Sequence, residues 1–313
     1  MQYTVVTRQS ALAQKQTDLF VDAFQKVLPD VNLVVQTMST IGDQTQGAIT
    51  NLKKAFVGEL EVTLCDRRAD LAVHSLKDMS VLPVDDLVIA AVLPRHDARD
   101  IFVSAGSACI QDLSDGAVIG TSSARRCAQI KACYPHLRVR LCRGNVNTRI
   151  EKLESGLYDG LVLAKAGLDR LQVARDLHLE PLPIEHFTPA CGQGVVAVQC
   201  RADNLRLIEQ LSMINHQPTY ELIMLEQEIV RQFGASCGMP LGVYAQSIAH
   251  DAVQVHVFLS DPHGFNPVYQ KVDWSVGEVR RLDCVRDLVQ PMLDQGGREI
   301  LEKSKEDINA GFD

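Results

Sequence analysis

The chain has 313 residues, a formal net charge of −8, 46% hydrophobic and 22% charged residues, and only 5% aromatic residues. Such a composition describes a globular protein long enough for two or three domains, and it argues against nucleic-acid binding, which calls for a basic face or aromatic stacking platforms. No apolar run is long enough to span a bilayer, no basic-then-apolar leader opens the chain, and the nine scattered cysteines form no zinc spacing; the expectation is a cytoplasmic protein with reduced thiols, no metal and no membrane segment.

In chain order, β-branched runs alternate with helical patterns. Strands are predicted over Tyr3–Thr7, Asn32–Met38, Leu71–His74, Leu87–Val92, Val118–Gly120, Arg138–Leu141, Gly160–Ala164 and Val195–Gln199. Helices are predicted over Ala11–Leu28, Gly58–Arg68, Ala124–Cys133 and Thr148–Glu154. This alternation predicts α/β units around mainly parallel sheets. Toward the end, a helix over Thr219–Phe233 precedes strands at Val243–Ile248, Val253–Leu259 and Val268–Val272 and a helix around Val279–Leu293, the pattern of a small α+β domain.

Ten of the chain's 20 arginines fall between Arg95 and Arg175, in a protein that is acidic overall. Arginine captures carboxylate or phosphate through two parallel hydrogen bonds, so this concentration points to a focused anion site. Two phrases carry it. In Gly120–Arg126, a strand end passes to Thr121, Ser122 and Ser123 at a helix start, followed by Arg125 and Arg126; a plain Ser N-cap with two solvated arginines is the bland alternative. In Arg143–Arg149, Gly144 permits positive φ or close approach and the two arginines flank another helix start. Both are expected at the carboxyl edge of one parallel sheet, where α/β proteins bind ligands. Arg8 follows the first strand, with Ser10 a predicted N-cap. The phrase His74–Asp78 sets Lys77 and Asp78 at another strand end, where a carboxylate can stabilise a developing cation or relay a proton; a surface Lys–Asp pair is the alternative, and His74 itself reads as a structural histidine. Pro189–Gly194 reads as a crossover turn in which Gln193 can hydrogen-bond a ligand. Cys237 stands in a small-residue loop that can expose a thiol.

Taken together and in order, VTRQSALAQ, FVGELEVTL, ADLAVHSLKD, GTSSARR, RGNVNTR, LAKAGLDRL, PACGQG and ASCGMPLG resemble the motif series of the porphobilinogen deaminase (hydroxymethylbilane synthase) family, from about Val5 to Gly242. The resemblance implies a transferase of tetrapyrrole (haem) biosynthesis that joins four porphobilinogen molecules head to tail into hydroxymethylbilane, releasing ammonia, on a self-assembled dipyrromethane primer. It implies covalent primer attachment at Cys237, catalysis by Asp78 with Lys77 beside it, and carboxylate binding by Arg8, Arg125, Arg126, Arg143, Arg149 and Arg170. Ser10, Lys53, Ser75, Thr121, Ser122, Ser123, Gly144 and Gln193 are further implied binding positions. It also implies two α/β lobes like those of periplasmic binding proteins, with mainly parallel mixed sheets, facing each other across a cleft, plus a small C-terminal α+β domain: residues 1–94 with 194–214, residues 98–189, and residues 216–313. A monomer without metal is the family expectation. The polar, glycine-bearing stretch Gly42–Thr50 is expected to be a lid.

Three positions depart from the family pattern. Gly58 stands where a lysine is usual, Ala235–Ser236 replaces the usual Gly-Gly before the attachment cysteine, and Lys165 replaces a small or apolar residue. Gly58 and the altered attachment loop leave open an impaired paralogue that binds a tetrapyrrole or other polycarboxylate without turning it over.

Overall fold

A computed structural model describes residues 1–39, 52–82, 84–174, 176–234 and 239–303. The chain divides into two compact units, Met1–His96 with Gly192–Glu221, and Asp97–Cys191 with Leu222–Asp313.

In the first unit, β1 (Gln2–Arg8), α1 (Ala11–Val27), β2 (Asn32–Met38), α2 (Leu52–Cys65), β3 (Leu71–Ser75) and β4 (Leu87–Val92) are joined by a late strand, β10 (Val196–Arg201), and by α6 (Leu205–Ser212). The strand order is β2-β1-β3-β10-β4. Strands β1, β2 and β3 pair in parallel, whereas β10 is antiparallel to both β3 and β4. Both faces of this sheet are covered, so its strands carry runs of apolar residues in place of strict alternation. Val5 packs with Phe20, Phe24, Leu71, Val73 and Val198 on one face, and Val6 with Leu60, Leu64 and Ala72 on the other. Helix α1 begins at Ser10, whose hydroxyl accepts the Ala13 N–H, and it buries Ala13, Gln16, Thr17, Phe20 and Phe24, a stripe at helical spacing. Burial of each phenylalanine contributes about 1.5–3 kcal/mol.

The second unit repeats the plan. Its elements are β5 (Asp100–Ser104), β6 (Val118–Thr121), α3 (Ala124–Cys133), β7 (Arg138–Leu141), α4 (Val146–Glu154), β8 (Gly160–Ala164), α5 (Lys165–Leu171) and β9 (His178–Pro181). The strand order is β7-β6-β8-β5-β9, with β6 parallel to β7 and β8 and with β5 antiparallel to β8 and β9. In each unit a parallel trio in the order second-first-third is followed by one antiparallel strand and then an edge strand, so the expected pair of α/β lobes with mixed sheets is present. Ile101, Val103, Leu161 and Leu163 face Ile150, Leu153 and Leu168; Phe102, Ile119 and Val162 face Ile130, Leu137 and Phe187.

The rest of the second unit follows α7 (Gln217–Gln232). Strands β11 (Leu241–Ala249), β12 (Ala252–Leu259) and β13 (Val268–Ser275) form an antiparallel meander, and α8 (Val276–Arg281) and α9 (Asp283–Met292) follow. Val243, Ala245, Val253, Val255 and Val257 pack against Leu225, Ile229, Val285, Val289 and Met292. The α+β character read from the sequence is seen here.

Several elements differ from the sequence reading. Strands β5 and β9 and helices α5 and α6 are additional. Strand β5, Asp-Ile-Phe-Val-Ser, is buried at every position, so it shows no alternation to mark it. Helix α2 begins at Leu52, ahead of the expected Gly58, and passes through that glycine. Among the described cysteines Cys142 and Cys200 are buried, Cys65 is exposed, and Cys109, Cys127, Cys133, Cys191 and Cys284 are half-buried.

Candidate active site

In the first unit the sequence-predicted residues gather at the carboxyl ends of β1 and β3. Arg8 ends β1, and Ser10 caps the helix that follows. Ser75 ends β3, and its hydroxyl donates to Gln16 Oε1 at 2.9 Å. The chain then makes a 3-10 turn, Leu76–Asp78, which places the half-buried Lys77 and Asp78 just beyond the strand. This turn is anchored from outside. The Leu76 N–H donates to the Val195 carbonyl at 3.0 Å, and Gly192, at φ +72°, lies so close that a Cβ there would be 2.8 Å from Leu76 Cγ. Gln193, 1% exposed, sits in this same turn of chain, and its carbonyl accepts from Arg95 Nε at 2.8 Å. The end of the crossover phrase, Gly192–Gly194, and the His74–Asp78 phrase are thus packed together, with Ser75, Lys77, Asp78 and Gln193 in one neighbourhood. His74, one step inside the strand, is buried, and burial brings its imidazole pKa down to about 4.

In the second unit the two arginine phrases meet. Gly120 and Thr121 pair with Arg140 and Leu141 across the parallel β6–β7 ladder, so the loops that follow are adjacent. Arg149, on α4, donates from Nε to the Gly144 carbonyl at 2.8 Å and from a terminal nitrogen to Ser122 Oγ at 3.1 Å, which ties one phrase to the other. Gly144 has φ +115°, the conformation its sequence position predicted. The Arg143 carbonyl accepts from Lys152 Nζ at 2.9 Å. Ser123 is the N-cap of α3, its hydroxyl accepting the Arg126 N–H, and the Ser123 N–H donates to Thr121 Oγ1 at 3.2 Å. Arg170 lies in the last turn of α5, where burial lowers its guanidinium pKa and the neighbouring Asp169 opposes that shift.

Arg125 and Arg126 are placed differently from the expectation. They are 4% and 6% exposed and both close on Asp100, itself fully buried. Arg125 donates to Asp100 Oδ2 at 2.7 Å, to Gln129 Oε1 at 2.9 Å and to the Thr188 carbonyl at 2.7 Å. Arg126 donates to Asp100 Oδ1 at 3.0 and 2.8 Å and to the Val162 carbonyl at 3.2 Å. Burial alone would raise the Asp100 pKa, but the two guanidiniums outweigh it and hold the carboxyl well below the usual range. The phrase read as two ligand-facing arginines therefore contains a buried ion triad, because a lone acid inside the apolar strand β5 supplies their counter-charge. Asp100 was missed in the sequence; an aspartate directly ahead of the apolar run Ile101–Val103 is the signal that could have marked it.

Lys165, the departure in the phrase before Arg170, pairs with Asp169 at 2.6 Å, four residues on, which offsets its charge. Lys53 lies on α2 with its side chain outside the described residues, and Cys237, Ala235–Ser236 and the expected lid Gly42–Thr50 are also outside them.

The second unit thus brings Arg149, the Thr121–Ser123 loop and the start of α3 together, groups of the kind that donate hydrogen bonds to anions. No helix among the described residues is long and apolar enough to cross a membrane. Comparison with known proteins agrees. Residues 3–209 match the family model described as porphobilinogen deaminase, dipyromethane cofactor binding domain. The porphobilinogen deaminase of Laribacter hongkongensis is 35% identical over 97% of this chain and 98% of its own length. That of Thermus thermophilus is 39% identical over 95% and 97%, and that of Ralstonia nicotianae 37% over 95% and 90%. A probable amino-acid ABC transporter extracellular-binding protein from Bacillus subtilis is similar over 73% of this chain and 96% of that one, with 13% identity and a TM-score of 0.42, a likeness too slight to weigh. With relatives matched over nearly their whole length and the motif residues standing where these sheets end, the chain belongs to the porphobilinogen deaminase family.

Proposed function

We propose that this protein condenses four porphobilinogen molecules head to tail into hydroxymethylbilane, releasing ammonia at each addition, on a dipyrromethane primer attached at Cys237. The observation that carries the reading is the junction of the two arginine phrases through Arg149 and Ser122, in a chain that also sets Asp78 at the end of β3. Each pyrrole brings an acetate and a propionate, so the ligand gains two negative charges per addition. Charge-assisted hydrogen bonds contribute roughly 1.5–3 kcal/mol each, which lets Arg8, Arg143, Arg149 and Arg170, with the Thr121–Ser123 hydroxyls and Gln193, retain a lengthening chain. Arg125 and Arg126 act by fixing the start of α3 through Asp100, and the loop hydroxyls present themselves from that support.

The primer, when bound, supplies the free pyrrole α-carbon to which substrate is added. Asp78 accepts hydrogen bonds from pyrrole N–H groups and stabilises the positive charge that develops as ammonia departs. It also receives and passes on the proton released when the new bond forms, with Lys77 beside it. Asp78→Asn is expected to keep the fold and to lower turnover by roughly 100-fold or more, the range of a removed charge-stabilising or general acid–base group; ammonia release from porphobilinogen measures it. Wild-type ammonia release by this variant would remove Asp78 from the mechanism. Intact-protein mass spectrometry is expected to show the added mass of two pyrrole rings, absent from Cys237→Ser. A chain of unmodified mass that releases no ammonia even after incubation with porphobilinogen would instead be a polycarboxylate binder.

We further propose a cytoplasmic monomer. The described cysteines are all free thiols, which supports a reducing compartment; sedimentation tests the oligomeric state. The separate core of the β11–β12–β13 segment supports residues 216–313 as a third domain, and limited proteolysis releasing it intact is the check.

A further inference from the structure

The His74–Asp78 phrase has a buried polar underside that the reaction described above does not use. On β3, Ala72 and His74 face α2, as do Ala197 and Gln199 on β10; β3 and β10 pair antiparallel with His74 opposite Ala197 and Ala72 opposite Gln199. His74 and Gln199 are therefore diagonal neighbours on one face, 5% and 4% exposed. The Gln199 side chain is the polar group beside the imidazole across the β3–β10 ladder, and among the described residues neither His74 Nε2 nor Gln199 Oε1 has a hydrogen-bond partner. Gln199 Nε2 in turn donates to Glu61 Oε1 of α2 at 3.2 Å. Continuing the β1–β3 register, Val6 opposite Ala72, brings Arg8 alongside His74. The charges that act on the imidazole are those of Arg8 and Asp78, both residues of the candidate site. Polar side chains thus lie side by side on the underside of the sheet, from Glu61 of α2 through Gln199 to His74 on the strand that leads to Asp78. Two buried polar side chains kept so close to a charged turn are costly unless they satisfy each other, and a core of Leu60, Leu64 and Ala72 surrounds them.

We propose that His74, packed beside Gln199 on the sheet face that α2 covers, is a positioning residue for Asp78. It locks the end of β3 against α2 and β10, so that the 3-10 turn presents the Asp78 carboxylate in one orientation. The inference rests on the proposed reaction. Wild-type ammonia release tests that reaction independently: its absence overturns the reaction, whereas the outcomes below concern His74 alone.

The test compares His74→Phe, His74→Gln, Gln199→Leu and the His74→Phe/Gln199→Leu double variant. Turnover is expressed per molecule carrying the covalent pyrroles by mass, so misfolded or unloaded protein does not count. His74→Phe and Gln199→Leu are each expected to lower kcat about tenfold with KM changed less than about threefold, the pattern of an interaction made in the transition state. His74→Gln, which keeps a donor toward Gln199, is expected to recover most of the loss. The double variant is expected to lose no more than the worse single variant, since both disturb one polar cluster. Shift of the acid limb of kcat against pH in His74→Phe is a further expected sign that the Asp78 environment has changed. A kcat per loaded enzyme within about twofold of wild type in both single variants, an unshifted pH profile, or losses that multiply in the double variant, each overturns the proposal.

Discussion

Asp100 and His74 are buried titratable groups that act on stability in different pH windows. The Asp100 carboxyl is held well below its ordinary value by Arg125 and Arg126, against the opposing effect of burial. Its contribution is complete above the unfolded carboxyl value of about 4 and is lost as the pH falls toward the folded value. Asp100→Asn leaves two buried guanidiniums with their shared charge gone and is expected to destabilise the protein by about 3–5 kcal/mol, read as a lower urea midpoint at pH 7. The His74 imidazole behaves as a base whose folded pKa, about 4, lies below its free value. As pH falls from about 6.5 to 4, the unfolded chain takes up a proton that the folded one refuses, so stability declines across that window by up to roughly 3 kcal/mol. Urea midpoints of wild type are expected to fall between pH 6.5 and 4, and those of His74→Phe to stay flatter; parallel curves would show that His74 is not the group responsible. The local backbone roles of Ser10, Ser123 and Gly144 were legible in the sequence, since two cap helices and one takes a positive φ where their positions allowed it. The partner of Arg125 and the neighbour of His74 were not, because Asp100 is 25 residues from Arg125 and Gln199 is 125 residues from His74, and no local pattern links either pair.

At the scale of elements, the feature that organises the first unit is the contact of the crossover turn with the 3-10 turn. Gly192 holds a positive φ and leaves no room for a Cβ against Leu76. Gly192→Ala is expected to cost about 1–3 kcal/mol through strain and overpacking and to lower kcat, because Leu76 adjoins the turn that carries Asp78. A thermal melt and an ammonia assay on the same sample check both halves of this expectation. The parallel β-α-β units were readable because each strand end, helix start and turn carried its own signal. Strand β5 was not: it is buried at every position and pairs only with strands that follow it by some 60 residues or more. Its identity as a strand is set by tertiary cover, which a period-2 pattern does not register.

At the scale of the whole molecule, the net charge of −8 and the anion-binding role are compatible because half of the arginines are concentrated in residues 95–175, about a quarter of the chain. The repeated strand order in the two units was foreseen as a pair of α/β lobes, though not the position of each antiparallel strand. In the first unit that strand is β10, which lies between β3 and β4 although more than a hundred residues of chain separate it from either. On a ribosome, β3 and β4 therefore emerge long before the strand that joins them, and both present open edges while residues 97–191 are being made. A nascent chain stopped before Val196 is expected to expose two unsatisfied strand edges and to need a chaperone, whereas one that has passed Arg201 can close the sheet and, with it, bring Gln199 under His74.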